Sequence, residues 1–70
     1  MAEMTNQINT VVDEIIAAYG TVSGIQQRFD YQSPMGVYNW RSRGVPRSLI
    51  ADIHVDTQIP IERLKLGIKP

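Results

Sequence analysis

One apolar stripe near the start of the chain limits the possible folds more than any other feature. Ile8, Val11, Val12, Ile15, Ile16 and Tyr19 fall at offsets 0, 3, 4, 7, 8 and 11. That spacing draws one face of a 3.6-residue helix. Thr5 or Asn6 can cap its start, and Gly20 offers a left-handed stop just after Tyr19. Asp13 and Glu14 fall on the opposite, solvated face. Such a helix cannot stay folded with its stripe in water, so the rest of the chain must cover it.

The rest of the chain reads as short helices separated by glycine and proline. Thr21 can cap a second helix reaching to about Phe29, with Val22, Ile25 and Phe29 inward and Gln26, Gln27 and Arg28 outward. A third helix is expected over 34–43. The Ser33 hydroxyl can cap it, and Pro34 suits the first helical position, where a missing N–H costs nothing. Val37 and Trp40, three apart, make its inner seam, while Met35, Tyr38, Asn39 and Arg41 point elsewhere. Gly36 inside this helix costs up to ~1 kcal/mol against alanine. Close approach to a ligand such as DNA, or to the second helix, would account for it.

Gly44 ends that helix and Pro46 opens a fourth, over 46–55, with Leu49, Ile50 and Ile53 inward. Arg47 and Ser48 sit at its exposed start. His54 is expected at the surface, with a place in the core as the second reading and phosphate contact as the third. Asp56, Thr57 and Gln58 form a turn cluster, and Pro60 starts a last helix over 61–66 with Glu62 and Arg63 outside. Ile59, Ile61, Leu64, Leu66 and Ile68 are many apolar residues for so short an end, and the surplus suits a dimer contact. Alternation of Leu64, Leu66 and Ile68 with Lys65 and Gly67 also permits an extended arm. Residues 1–4 and 69–70 are expected to be loose. The whole is a single all-α domain over 1–70, of about five short helices.

Composition closes off several functions. A chain of 70 residues buries only about 60% of its unfolded surface, so a second copy would add useful core. There is no cysteine and one histidine, which removes disulfides and leaves no zinc ligand set. No apolar run approaches the ~18 residues of a membrane span. The start, MAEMTNQINT, has neither the basic nor the apolar part of a secretion signal, so a cytoplasmic location and no cofactor are expected. Formal net charge is zero, but unevenly laid out. Residues 1–40 carry Arg28 against Glu3, Asp13, Glu14 and Asp30. Residues 41–70 carry Arg41, Arg43, Arg47, Arg63, Lys65 and Lys69 against Asp52, Asp56 and Glu62. Three arginines between 41 and 47, with no acid among them, can bind phosphate on an otherwise neutral protein.

Residues 19–53 carry a resemblance. Gly20, Thr21, Ile25 and Phe29, then a turn, then Ser33, Val37, Trp40 and Arg41, with Gly44, Val45 and Pro46 after them, resemble the helix-turn-helix of phage Cro-type repressors and their prophage relatives. The turn Asp30-Tyr31-Gln32 runs one residue longer than the family's and has no glycine; aspartate tolerates the left-handed region better than most residues. Gln26 falls near a place where the family favours alanine, with Gly24 the small residue nearby.

The resemblance implies a helix-turn-helix motif over about 21–43. It lays the second helix across the DNA backbone, which carries phosphate contact to Thr21, the Val22 N–H and Ser23, with Gln27 as a further candidate. It places Pro34, Met35, Tyr38 and Asn39 against base edges. Asn39 can bond adenine N6 and N7 together, Tyr38 offers a hydroxyl and a flat face, and Met35 can pack on a thymine methyl. Pro34 gives only van der Waals contact. Gln32, Arg41, Ser42, Arg43 and Arg47 are placed to reach phosphates.

The expected function is a sequence-specific DNA-binding regulator, Cro-like, working as a homodimer on a double-stranded palindromic operator. No small-molecule ligand is expected, because the chain is too short for a separate ligand domain. A helical protein-binding module is the second reading, favoured by neutral charge and the apolar end. An enzyme is the third, and no catalytic constellation can be assembled for it. A DNA reader should leave Tyr38, Asn39 and the arginines exposed on one surface.

Overall fold

A computed structural model describes residues 3–69, with side chains from Gln7 onward. The first helix, α1 (Glu3–Tyr19), starts earlier than the candidate caps imply: Thr5 and Asn6 already lie inside it. Glu3 and Met4 are therefore helical rather than loose, while Met1, Ala2 and Pro70 fall outside the described residues. Ile8, Val11, Val12 and Ile15 are buried as the stripe requires, and Ile16 and Tyr19 pack at its edge. Gly20 takes φ +94°, the left-handed stop, and its N–H closes on the Ile16 carbonyl.

Thr21 caps α2 (Val22–Arg28): its backbone is extended and its Oγ1 accepts the Gly24 N–H at 3.0 Å. The helix closes without glycine. Asp30 adopts φ +60°, the Asp30 N–H bonds the Gln27 carbonyl, and the Tyr31 N–H bonds the Gln26 carbonyl at 2.9 Å. This paired arrangement is the Schellman motif, with aspartate in the left-handed place.

The expected single helix over 34–43 is two short ones, α3 (Met35–Tyr38) and α4 (Trp40–Arg43), meeting at Asn39. Asn39 keeps right-handed angles (φ −63°, ψ −18°), so the path continues while the hydrogen-bond ladder tightens toward a 3₁₀ turn. Ser33 does not cap it. Pro34 is the flanking residue, no side chain caps the start, and Ser33 contributes only its carbonyl to the Gly36 N–H. Gly36 is also explained differently from expectation. A Cβ there would lie 2.5–2.9 Å from the Tyr31 ring, so the glycine makes room for an aromatic residue of the turn.

Pro46 is extended (φ −60°, ψ 130°) rather than helical, and leads a 3₁₀ turn (Arg47–Leu49) into α5 (Ile50–Thr57). The expected turn at Asp56 and Thr57 is the last of α5, and Gln58 ends it at φ +65°. The last helix, α6 (Ile61–Lys65), follows Pro60. No strand occurs among the described residues, so the extended arm is not formed. Instead the end folds back: the Val45 N–H bonds the Gly67 carbonyl at 2.8 Å, and Lys69 Nζ donates to the Ser42 carbonyl at 3.3 Å. Lys69, expected to be loose, is docked.

The fold is all-α. α1 packs against α2, α4 and α5, and α5 against α6. Between them lies one core, completed by Ile25, Val37, Trp40, Val45, Ile50, Ile53 and Leu64. The Cα radius of gyration, 11.1 Å, equals the ~11 Å of a compact chain this long. No described helix is long and apolar enough to cross a membrane.

Candidate nucleic-acid interface

The α3–α4 stretch owes its orientation to Trp40. The indole is 2% exposed, lies edge-on to Phe29 and to Tyr31, and donates Nε1–H to the Tyr31 hydroxyl at 3.2 Å. Val37 is fully buried one turn earlier. With that seam fixed inward, helical geometry turns Met35, Tyr38 and Ser42 outward. Met35 is 58% and Tyr38 48% exposed, far above ordinary apolar burial. Asn39 is half-buried beside them, and Gln32, Ser33 and Pro34 are exposed just before them.

The remaining expected contacts divide by what already holds them. Thr21 is exposed, but its Oγ1 is committed to Gly24; Ser23 and Gln27 are exposed, and Val22 is half-buried at the open first turn of α2. The Ser42 hydroxyl turns back to the Asn39 carbonyl at 3.3 Å. Arg41 is exposed, yet its guanidinium bonds Asp13 at 2.5 Å. Arg43 and Arg47 are exposed and make no ion pair among the described residues. The free positive charge of the patch therefore narrows to these two, with Lys69 brought beside them by the chain's return to Ser42.

Away from the outward face of α3–α4, two acids tie helices together. Asp56 accepts from Tyr19 Oη at 2.6 Å and Arg28 Nε at 2.7 Å, joining α1, α2 and α5. Arg28 also lies over the Phe29 ring, 4.9 Å from its centre. Glu14 takes both Nε and an Nη of Arg63, joining α1 to α6. The solvated acids expected on α1 are thus clamps. The Arg63 hydrogen bonds hold the Glu14 carboxyl below the usual range, and those from Tyr19 and Arg28 do the same for Asp56. Burial, then the bond to Asp56, pushes the Tyr19 phenol up. His54 is half-buried, with Nδ1 2.7 Å from the Ile59 carbonyl, to which it donates. That bond assigns it to holding the α5–α6 turn rather than to the surface patch.

Two residues of this region escaped sequence reasoning. Tyr31 stood only as turn filler, yet it receives the Trp40 N–H and packs on Gly36. Lys69 stood as a loose end. The unusual Gly36 was the available signal for Tyr31, since a glycine in a helix reports a close neighbour; nothing signalled Lys69.

Compared with protein-family models, with curated proteins and with solved structures, the chain matches none.

Proposed function

We propose that the protein is a sequence-specific double-stranded DNA-binding regulator, with α3–α4 as its reading element. The carrying observation is the split of that element. Val37 and Trp40 are locked into the core, while the Met35 and Tyr38 side chains stand out with no hydrogen bond to the rest of the chain among the described residues, and Arg43 and Arg47 flank them without an ion pair. Tyr38 and Asn39 supply polar edges for bases, Met35 an apolar contact for a thymine methyl, and the two arginines phosphate contacts. The first turn of α2 adds backbone N–H groups at Val22 and Ser23. Cro-like repression by a homodimer on a palindrome follows on this reading, with the two reading elements about one DNA turn, roughly 34 Å, apart.

Selection from a randomised duplex pool tests it. Enrichment of a short palindrome is expected; Asn39→Ala should relax one base position, and Arg43→Ala should weaken all sites and lower the salt slope by about one. No enrichment, with no binding at low salt, overturns the reading. A protein-docking module remains the second reading, favoured by the apolar exposure of Val55 (68%), Ile61 (38%) and Leu66 (42%) on α5 and α6.

A further inference from the structure

A pocket of about 230 Å³ opens beside the reading element, lined by Tyr31, Gly36, Asn39, Trp40, Arg43, Gly44 and Pro46. No carboxylate lines it. Its apolar lining comes from Tyr31, Pro46 and the edge of Trp40 that is not buried, and two of its lining residues are glycines. Gly36 is there because a Cβ would strike the Tyr31 ring. Gly44 is there because it takes φ +85° and crowds the Lys69 backbone.

The polar side chains that line the pocket can all donate. The Arg43 guanidinium makes no ion pair, and the Asn39 side-chain amide has no hydrogen-bond partner among the described residues. The Tyr31 oxygen accepts from Trp40, which leaves its own O–H to donate outward. An open apolar surface at Tyr31 and Pro46 beside guanidinium, amide and hydroxyl donors, with no acid, matches a flat ring bearing one oxyanion. At about 230 Å³ and open to solvent, it has room for a single ring.

We propose that this pocket is a binding site for small planar aromatic carboxylates, with the carboxylate on Arg43 and the ring against Tyr31 and Pro46. The expectation of no small-molecule ligand rested on chain length, and this site needs no added domain. It does not depend on the DNA reading. If both hold, ligand and DNA phosphate compete for Arg43.

The test is a titration of the full-length ¹⁵N-labelled protein with sodium benzoate, without DNA and at constant ionic strength. Trp40, the sole tryptophan, gives one indole N–H signal, and its partner is a wall of the pocket. Saturable shifts of that signal and of the Gly36 and Gly44 amides are expected, with a dissociation constant on the order of millimolar. Benzamide, the neutral isostere, and inorganic phosphate, the compact anion, should each bind more weakly. Arg43→Gln changes an exposed side chain and should weaken benzoate about fivefold or more, with the rest of the spectrum kept. Tyr31→Phe should weaken it by less. Shifts no larger than sodium chloride gives, equal binding of benzamide or of phosphate, or unchanged binding by Arg43→Gln would each overturn the proposal. DNA selection on unliganded protein fails or succeeds independently of all of these. In a DNA-binding protein, benzoate should lower duplex affinity, and do so at somewhat higher concentration in Tyr31→Phe.

Discussion

The two sides of the molecule use charge in opposite ways. On the α1–α5–α6 side, Asp56 holds Arg28 and Tyr19, and Glu14 holds Arg63. Each clamp ties elements that are far apart in sequence. On the α3–α4 side, one arginine is spent, Arg41 on Asp13, while Arg43 and Arg47 are left open. The formal charge of zero therefore does not describe either side. Acids outnumber bases early in the chain, but two of them, Asp13 and Glu14, neutralise arginines within the fold, as Asp56 does from the second half. What is left unpaired at the end of α4 is locally basic.

The largest effect that would break this division is loss of its anchor. Trp40→Ala should cost about 3–5 kcal/mol, a large part of the roughly 4–10 kcal/mol expected of a domain this size. Denaturant unfolding followed by circular dichroism would show it; a loss under 1 kcal/mol would mean the indole is not the keystone of the α3–α4 side. Gly36→Ala comes next. Alanine is the better helix former, yet its Cβ must displace the Tyr31 ring, so a net loss of about 1–3 kcal/mol is expected. A gain in stability would show that Tyr31 does not sit on Gly36.

Acid separates the two sides more gently. The folded pKa values of Glu14 and Asp56 lie below their ordinary 4.5 and 3.8. Their contribution is therefore present above those ordinary values and lost as pH falls through the lower folded ones. Stability should hold down to about pH 4.5 and then decline, and Glu14→Gln with Asp56→Asn should flatten that decline. Tyr19 gives the mirror case. Its folded pKa is raised above 10.0, so its contribution is present below pH 10.0 and fades as alkali ionises the phenol. An unchanged acid limb in the double variant would leave the clamps without thermodynamic weight.

The smallest effects sharpen the division within the arginines. If the DNA reading holds, Arg43→Ala and Arg47→Ala should each lower the salt slope of binding by about one. Arg41→Ala should lower it less, because Asp13 already occupies that guanidinium. Asp13→Ala should then raise affinity by releasing it. Equal slopes for all three alanine variants would mean that the Asp13 contact yields freely to phosphate.

Local chemistry was enough to fix much of this from sequence. The α1 stripe, the Gly20 stop, the Thr21 cap and the inward seam of Val37 and Trp40 all depend on neighbours within a turn or two, and periodicity reads those directly. Asp30 in the left-handed region belongs with them, since the Schellman bonds close within six residues. Tertiary contact decided the rest. Ser33 had the right chemistry for a cap, but the backbone entering Pro34 left its hydroxyl unused. Gly36 answered to Tyr31, Arg41 to Asp13, and Lys69 to Ser42 and Gly44. The exposed candidates Met35, Tyr38, Arg43 and Arg47 were named by residue type, yet which arginines stay free depends on acids 28 to 49 residues away that no local pattern can place. Helix periodicity is a property of the chain next to itself; an ion pair or a pocket wall exists only once separate helices have met.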